Sequence, residues 1–176
     1  GYAIGRDALA LTVRGEDGRA PRGALHDTVL RRTGAADARG IVEFTYRGAS
    51  KAEVAALAAE VLRLAAQGDA QSAAILRREA EELRELVSAL ARELAIAQPR
   101  IALMGGLLAE ENVYREAVCA ALSGMAQPVR PLHDALWGAA QLAFEALGNE
   151  MLTRRGAASL YIPKGTSFAS QMELFS

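Results

Sequence analysis

The alternation of short apolar runs with helical patterns between residues 99 and 148 constrains the fold more than any other feature. The run RIALM follows Pro99 and has turn residues on both sides, which suits a fully buried strand. Two glycines, Gly105 and Gly106, come next, and they lead into a helical pattern that Gly124 ends. A short extended piece, PVRPL, then precedes a final helix. The order strand, helix, strand, helix predicts an α/β layer with neighbouring strands.

The final helix, DALWGAAQLAFEAL, is predicted to begin after Asp134, whose side chain can cap it, and to stop at Gly148. Residues 150–176 show no sustained period, so we interpret them as an extension on the domain. The sequence therefore predicts a domain over residues 1–149 and a C-terminal extension over residues 150–176.

Helical patterns also fill most of the chain before residue 99. The segment IGRDALALTVR predicts one helix, and ALHDTVLRRTG predicts a second with Gly34 as its C-terminal cap. Ser50 and Glu53 form the capping box S-x-x-E at the start of a third. By contrast, GIVEFTYRG, between Gly40 and Gly48, is rich in β-branched and aromatic residues and predicts a short strand.

A longer helix is predicted after Asp69, which can cap it. Its apolar residues are spaced four and three apart, as in a heptad repeat. Because coiled coils sustain this pattern over more heptads than fit here, the sequence favours an ordinary core-facing helix over a coiled coil. The residues of this heptad-like seam are Leu76, Ala80, Leu83, Val87, Leu90 and Leu94.

Composition argues against several classes of function. The 176 residues carry 20 Lys and Arg against 21 Asp and Glu, a net charge of -1, which predicts neither a nucleic-acid nor a membrane partner. No window approaches the ~18 continuous apolar residues of a membrane span, and no signal peptide is visible, so we expect a cytoplasmic protein. The one cysteine, Cys119, excludes an intrachain disulfide and a cysteine-only metal site. The motifs G-x-x-x-x-G-K-[ST], G-x-S-x-G and H-E-x-x-H are absent from the sequence.

Three short stretches occur in an informative order: GYAIG at residues 1–5, IALMGG before residue 107, and GAAQLA from Gly138. Together they resemble the C-terminal lobe of the actin–hexokinase–heat-shock ATPase superfamily. Within it, the chain is most similar to the N-acetylglucosamine kinases and the BadF/BadG/BcrA/BcrD ATPase family. Those proteins carry GSGYxIG at the start of their second lobe, an apolar strand ending in GG or GS, and P…GA…A near the C-terminus. The resemblance covers residues 1–148 and implies an α/β, ribonuclease H-like lobe of actin/hexokinase type with a large helical insert.

The resemblance also implies a nucleotide-binding site. In the family the diglycine turn lies against the nucleotide, so Gly105 and Gly106 are the first candidates; glycine permits the close backbone approach that a base and ribose need. Gly1 matches the last glycine of a phosphate loop, where N–H groups at a helix start favour phosphate oxygens. Ala55 falls where the family lines the adenine pocket with small residues, although it is equally a plain helical alanine. Gly138 resembles a glycine near the same pocket, with close helix packing as its alternative.

The family resemblance implies ATP and Mg²⁺ as cofactors and N-acetylglucosamine or a related amino sugar as the substrate of a kinase. In the family the metal-linked aspartate and the acidic base belong to the first lobe, which would lie upstream of Gly1. We therefore assign no catalytic residue and no metal ligand to this chain, and we expect it to be inactive alone.

Two other functions stay open on the sequence alone. One is an ATPase component that activates a dehydratase or reductase; relatives of that type bridge a dimer through cysteine-held iron–sulfur clusters, and the lone Cys119 argues against it. The other is a non-catalytic helical module that dimerises through the seam at residues 76–94. We expect a homodimer, with ATP and an amino sugar as partners.

Overall fold

The computed structural model describes residues 1–131, 133 and 135–154. The chain forms two compact units, Gly1–Arg130 and Pro131–Ser176. In the described part of the chain the elements, in order, are α1 (Tyr2–Glu16), α2 (Ala24–Thr33), α3 (Ala38–Tyr46), α4 (Lys51–Ala66), α5 (Ala70–Glu93), β1 (Arg100–Ala102), α6 (Val113–Leu122), β2 (Gln127–Val129) and α7 (Ala135–Arg154). The described chain is therefore mostly helical, with a small parallel sheet.

Helix α4 is the centre of the first unit, because it packs against α1, α2, α5 and α6. Its Val61 is fully buried, as are Ile4 of α1, Leu76 of α5 and Val118 of α6. Burial of each side chain of this kind contributes about 1.5–3 kcal/mol to the stability of the fold. The core is thus a helical bundle that holds the start of α1 firmly against α4.

A very close approach between two of these helices occurs at Gly5. A Cβ built on Gly5 would lie 1.9 Å from the carbonyl oxygen of Val54 and 2.8 Å from its carbonyl carbon. No side chain fits at that separation, so glycine in the middle of α1 is explained by its contact with the main chain of α4.

The predicted helix caps are confirmed. Ser50 Oγ accepts a hydrogen bond from Glu53 N, and the Glu53 carboxylate accepts one from Ser50 N at 2.8 Å, which completes the capping box. Asp69 accepts a hydrogen bond from Ser72 N at 2.7 Å at the start of α5. Gly34 has φ +69 at the end of α2. These caps could be predicted because each depends on residues close together in sequence.

The strand predicted for GIVEFTYRG is wrong, because this segment belongs to α3. Asp37 caps the helix by accepting a hydrogen bond from Gly40 N at 2.9 Å. Ile41 is buried in the core, and Phe44, three residues later, packs against the same core. The helical spacing of these two anchors and the cap outweigh the β-propensity of the neighbouring residues.

The two predicted strands are neighbours: β1 pairs with β2 in parallel, with Ile101 opposite Pro128. The prediction of a fully buried first strand is wrong, since Arg100 and Ala102 are exposed and Ile101 is only half-buried. The reason is that, apart from its edge-to-edge pairing with β2, β1 makes no extensive contact with another described element, so little covers its faces. The architecture is compatible with the domain of an α/β ATPase.

The residues of the heptad-like seam become more exposed towards the end of α5. Leu76 and Ala80 are in the core at 2 % and 1 % exposure, whereas Leu90 and Leu94 are 48 % and 64 % exposed. The first half of the seam therefore behaves as the predicted core-facing helix, while the second half extends beyond the bundle.

The second unit contains α7, whose helical backbone continues through Gly148 to Arg154. The predicted stop at Gly148 is therefore wrong, because a single glycine weakens a helix by about 1 kcal/mol without ending it. Asp134, the predicted cap, lies outside the described residues, as do residues 155–176. The division at residue 149 stays a prediction. None of the helices that the structure describes is both long and apolar enough to cross a bilayer.

Candidate nucleotide-binding site

Three segments that are remote in sequence meet at the start of α1. A Cβ built on Gly1 would lie 3.5 Å from the Cβ of Ala55 on α4 and 3.7 Å from Cδ1 of Leu107. Both distances are ordinary van der Waals contacts. The structure thus places two of the predicted site residues, Gly1 and Ala55, next to each other and beside the residue that follows the diglycine.

The diglycine forms a tight turn after β1. The Gly105 carbonyl oxygen accepts hydrogen bonds from Leu108 N at 3.0 Å and from Ala109 N at 2.9 Å, so residues 105–109 make one helix-like turn. Gly105 has φ +89, a left-handed conformation that favours glycine strongly over other residues. The turn itself therefore explains why residue 105 is glycine.

Gly106 has no such explanation, because its φ is not in the left-handed region. A Cβ built on it would meet no atom within 4 Å, and the residue is exposed. Among the described residues, none accepts a hydrogen bond from the N–H groups of Gly106 or Leu107. A bare, accessible backbone with free donors is the surface that a flat polar group could approach.

The N-terminus of α1 adds further backbone donors. Gly1 is the N-cap and supplies no side-chain hydrogen bond, and the first turn carries no acidic residue. The first N–H groups of a helix have no acceptor within the helix. Together with the positive end of the helix dipole, they favour an anion such as a phosphate.

The diglycine turn is held from behind by two side chains at the start of α6. Asn112 donates from Nδ2 to the carbonyl oxygens of Leu107 and Glu110, both at 2.9 Å. Its Oδ1 caps α6 by accepting hydrogen bonds from backbone N–H groups of the first turn. Arg115 is buried and donates from Nη1 to the Leu108 carbonyl oxygen. Sequence reasoning missed both residues; asparagine before a helix is a cap signal, but nothing local predicts the arginine contact.

A pair of acidic residues is buried deeper, between α1 and α5. Asp7 and Glu79 are both 9 % exposed, and the Arg78 guanidinium pairs with Asp7, as does Arg6 at 3.3 Å. Burial, followed by the neighbouring Asp7 carboxylate, raises the pKa of Glu79 to about 7. Burial also raises the pKa of Asp7, but hydrogen bonds from Glu79 and Arg78 outweigh it and lower the pKa overall. On α6, burial and then the Glu79 charge raise the pKa of Tyr114. These groups join three helices and were not predicted from the sequence.

Among the described residues, no three His, Cys, Asp or Glu side chains converge as a group that could hold a metal ion. Cys119 is half-buried on α6.

Gly138, the remaining candidate, lies on α7 in the second unit. A Cβ built on it would meet no described atom within 4 Å. Its role beside a nucleotide stays a prediction.

Comparison with known protein families gives a match over most of the chain. The model of the BadF/BadG/BcrA/BcrD ATPase family matches residues 1–143, which include the start of α1, α4 and the diglycine turn. No curated protein sequence gives a significant match. Since the match covers most of the chain, the chain belongs to the BadF/BadG/BcrA/BcrD ATPase family.

Proposed function

We propose that this chain binds ATP on the surface formed by the start of α1, the face of α4 at Ala55 and the diglycine turn. The observation that carries the proposal is the position of Gly1, where an added Cβ would just reach Ala55 and Leu107, beside a Gly106 that no local feature explains. Family membership supports ATP as the ligand. We propose that this site belongs to the C-terminal lobe of a ribonuclease H-like fold.

The proposed surface has two regions, and each suits a different part of ATP. The accessible backbone at Gly106 suits the base and ribose. The unpaired N–H groups at the start of α1 suit the phosphates. Each region uses backbone groups, which explains why small residues prevail at the site.

The reaction that we propose for the parent protein is transfer of the γ-phosphate of ATP to a hydroxyl of N-acetylglucosamine or a related amino sugar, with Mg²⁺ accompanying the nucleotide. The described part of this chain supplies the binding surface only. Its buried carboxylates are all paired: Asp7 and Glu79 with each other and with arginine, and Glu60 with Arg32 and Arg63, so they are poorly placed to activate a sugar hydroxyl. We expect binding of ATP without phosphoryl transfer by this chain alone.

Calorimetric titration of ATP into the chain and into Gly106→Val tests the proposal. Valine at residue 106 meets open space in the free protein, so the fold should be unchanged while the side chain fills the ligand surface. We expect affinity to fall at least tenfold, or ~1.4 kcal/mol. Ala120→Val, at an exposed position on α6, is the matched control and should bind as the wild type does. Equal affinity of Gly106→Val and wild type would remove the diglycine from the site, and no binding by the wild type would refute the proposal.

The homodimer stays a prediction. If the chain were instead a module that dimerises through α5, the exposed Leu90 and Leu94 would carry the contact. Sedimentation with and without ATP separates the two functions, because such a module would self-associate regardless of the nucleotide.

A further inference from the structure

Arg115 stands out among the charged residues near the site, because its side chain is only 9 % exposed. It lies in the first turn of α6, where the helix dipole disfavours a positive charge. Burial of a guanidinium is also unfavourable unless its donors are paired. The structure must therefore provide contacts that offset both effects.

Those contacts run to the diglycine turn. Arg115 Nη1 donates to the carbonyl oxygen of Leu108, and Nε lies 3.4 Å from the Glu111 carboxylate. Glu111 is in turn paired with Arg130 at 2.9 Å, on the exposed side. The cap of α6 is already supplied by Asn112, so the helix itself does not require Arg115.

Asn112 and Arg115 each bind a different carbonyl oxygen of the diglycine turn. Asn112 binds the carbonyl oxygen of Leu107, and Arg115 binds that of Leu108. Two consecutive peptide groups are thus fixed in orientation by α6, directly after Gly106. The N–H groups of Leu108 and Ala109, which close the turn onto Gly105, belong to the same stretch of backbone.

We infer that Arg115 is a positioning residue that holds the diglycine turn in the conformation that accepts a nucleotide. It acts through the Leu108 carbonyl and does not touch the ligand. The expected effect of Arg115 on nucleotide binding rests on the proposed function. The effect of Arg115 on the conformation of the turn is independent of any ligand.

The test uses the full chain with Arg115→Met and Arg115→Lys. In Arg115→Met we expect amide hydrogen exchange at Leu108 and Ala109 to accelerate at least tenfold, while Val118 and Leu122 of the α6 core keep their protection. ATP affinity, from calorimetry, should fall about tenfold. Lysine keeps one charged donor, so Arg115→Lys should recover part of both losses.

The control is Arg130→Met, which removes the exposed end of the network and should leave both readouts unchanged. Unchanged exchange at Leu108 and Ala109 in Arg115→Met would overturn the inference. So would accelerated exchange without a loss of ATP affinity, or an equal loss of protection throughout α6. If Arg115→Met does not fold, Arg115→Lys decides through the same two measurements. If the wild type binds no ATP, the proposed function fails, and the exchange data still report whether Arg115 holds the turn.

Discussion

Replacement of Gly5 by alanine should weaken the fold although alanine is the better helix former. The new Cβ would lie 1.9 Å from the Val54 carbonyl oxygen, against an ordinary contact of 3.4 Å or more, so α1 and α4 must separate locally by about 1.5 Å. Overpacking of this kind costs about 1–3 kcal/mol, and the separation also loosens the core contacts of the adjacent Ile4. Against this, alanine stabilises a helix by about 1 kcal/mol relative to glycine. We expect a net loss of about 1–2 kcal/mol in the free energy of unfolding.

Urea unfolding followed by circular dichroism measures this loss. With a slope of about 2 kcal/mol per molar urea, the middle of the usual range, the midpoint should fall by roughly 0.5–1 M. Gly138→Ala is the matched control, because Gly138 is also helical but open, and its midpoint should stay or rise slightly. A Gly5→Ala protein as stable as the wild type would refute the close contact between α1 and α4. The same separation would pull Gly1 away from Ala55, so ATP affinity should fall as well.

Two further substitutions test the buried polar groups. The pKa of Glu79 is raised from 4.5 to about 7 in the fold, so its protonated form stabilises the protein; this contribution is complete below pH 4.5 and lost as the pH rises through about 7. The unfolding free energy of Glu79→Gln, measured by urea titration, should therefore decrease less between about pH 5 and pH 8 than that of the wild type. An equal decrease in both proteins would show that other groups cause the pH dependence. Ser72 Oγ is buried with no hydrogen-bond partner in the described structure, so Ser72→Ala should raise the unfolding free energy by about 0.5–1 kcal/mol in the same assay. A clear decrease in the unfolding free energy of Ser72→Ala would show that the hydroxyl has a hydrogen-bond partner.

The local features of the fold could be predicted from the sequence because their causes are local. The capping box at Ser50 and Glu53 depends on two side chains three residues apart. The strand predicted around Val42 failed for the opposite reason. Its β-propensity was outweighed by burial of Ile41 in a core that distant helices build.

The candidate site was only partly predictable. Gly1 and Ala55 were selected through the family resemblance, and the structure places them next to each other. Arg115 could not be found in this way, because its importance depends on the carbonyl of Leu108 lying within reach. Glu79 is likewise significant because the fold buries it and places Asp7, far away in sequence, beside it.

The nature of the atom that Gly5 touches has a consequence for genetic suppression. Where a glycine faces a side chain, a second substitution can restore the space: at Gly15 an added Cβ would meet the Cδ2 atom of the His26 ring at 3.0 Å, so a smaller residue at position 26 could compensate. Gly5 faces a main-chain oxygen, which every residue at position 54 retains. Suppressors of Gly5→Ala should therefore never arise at position 54, but only at positions that set the spacing of the two helices.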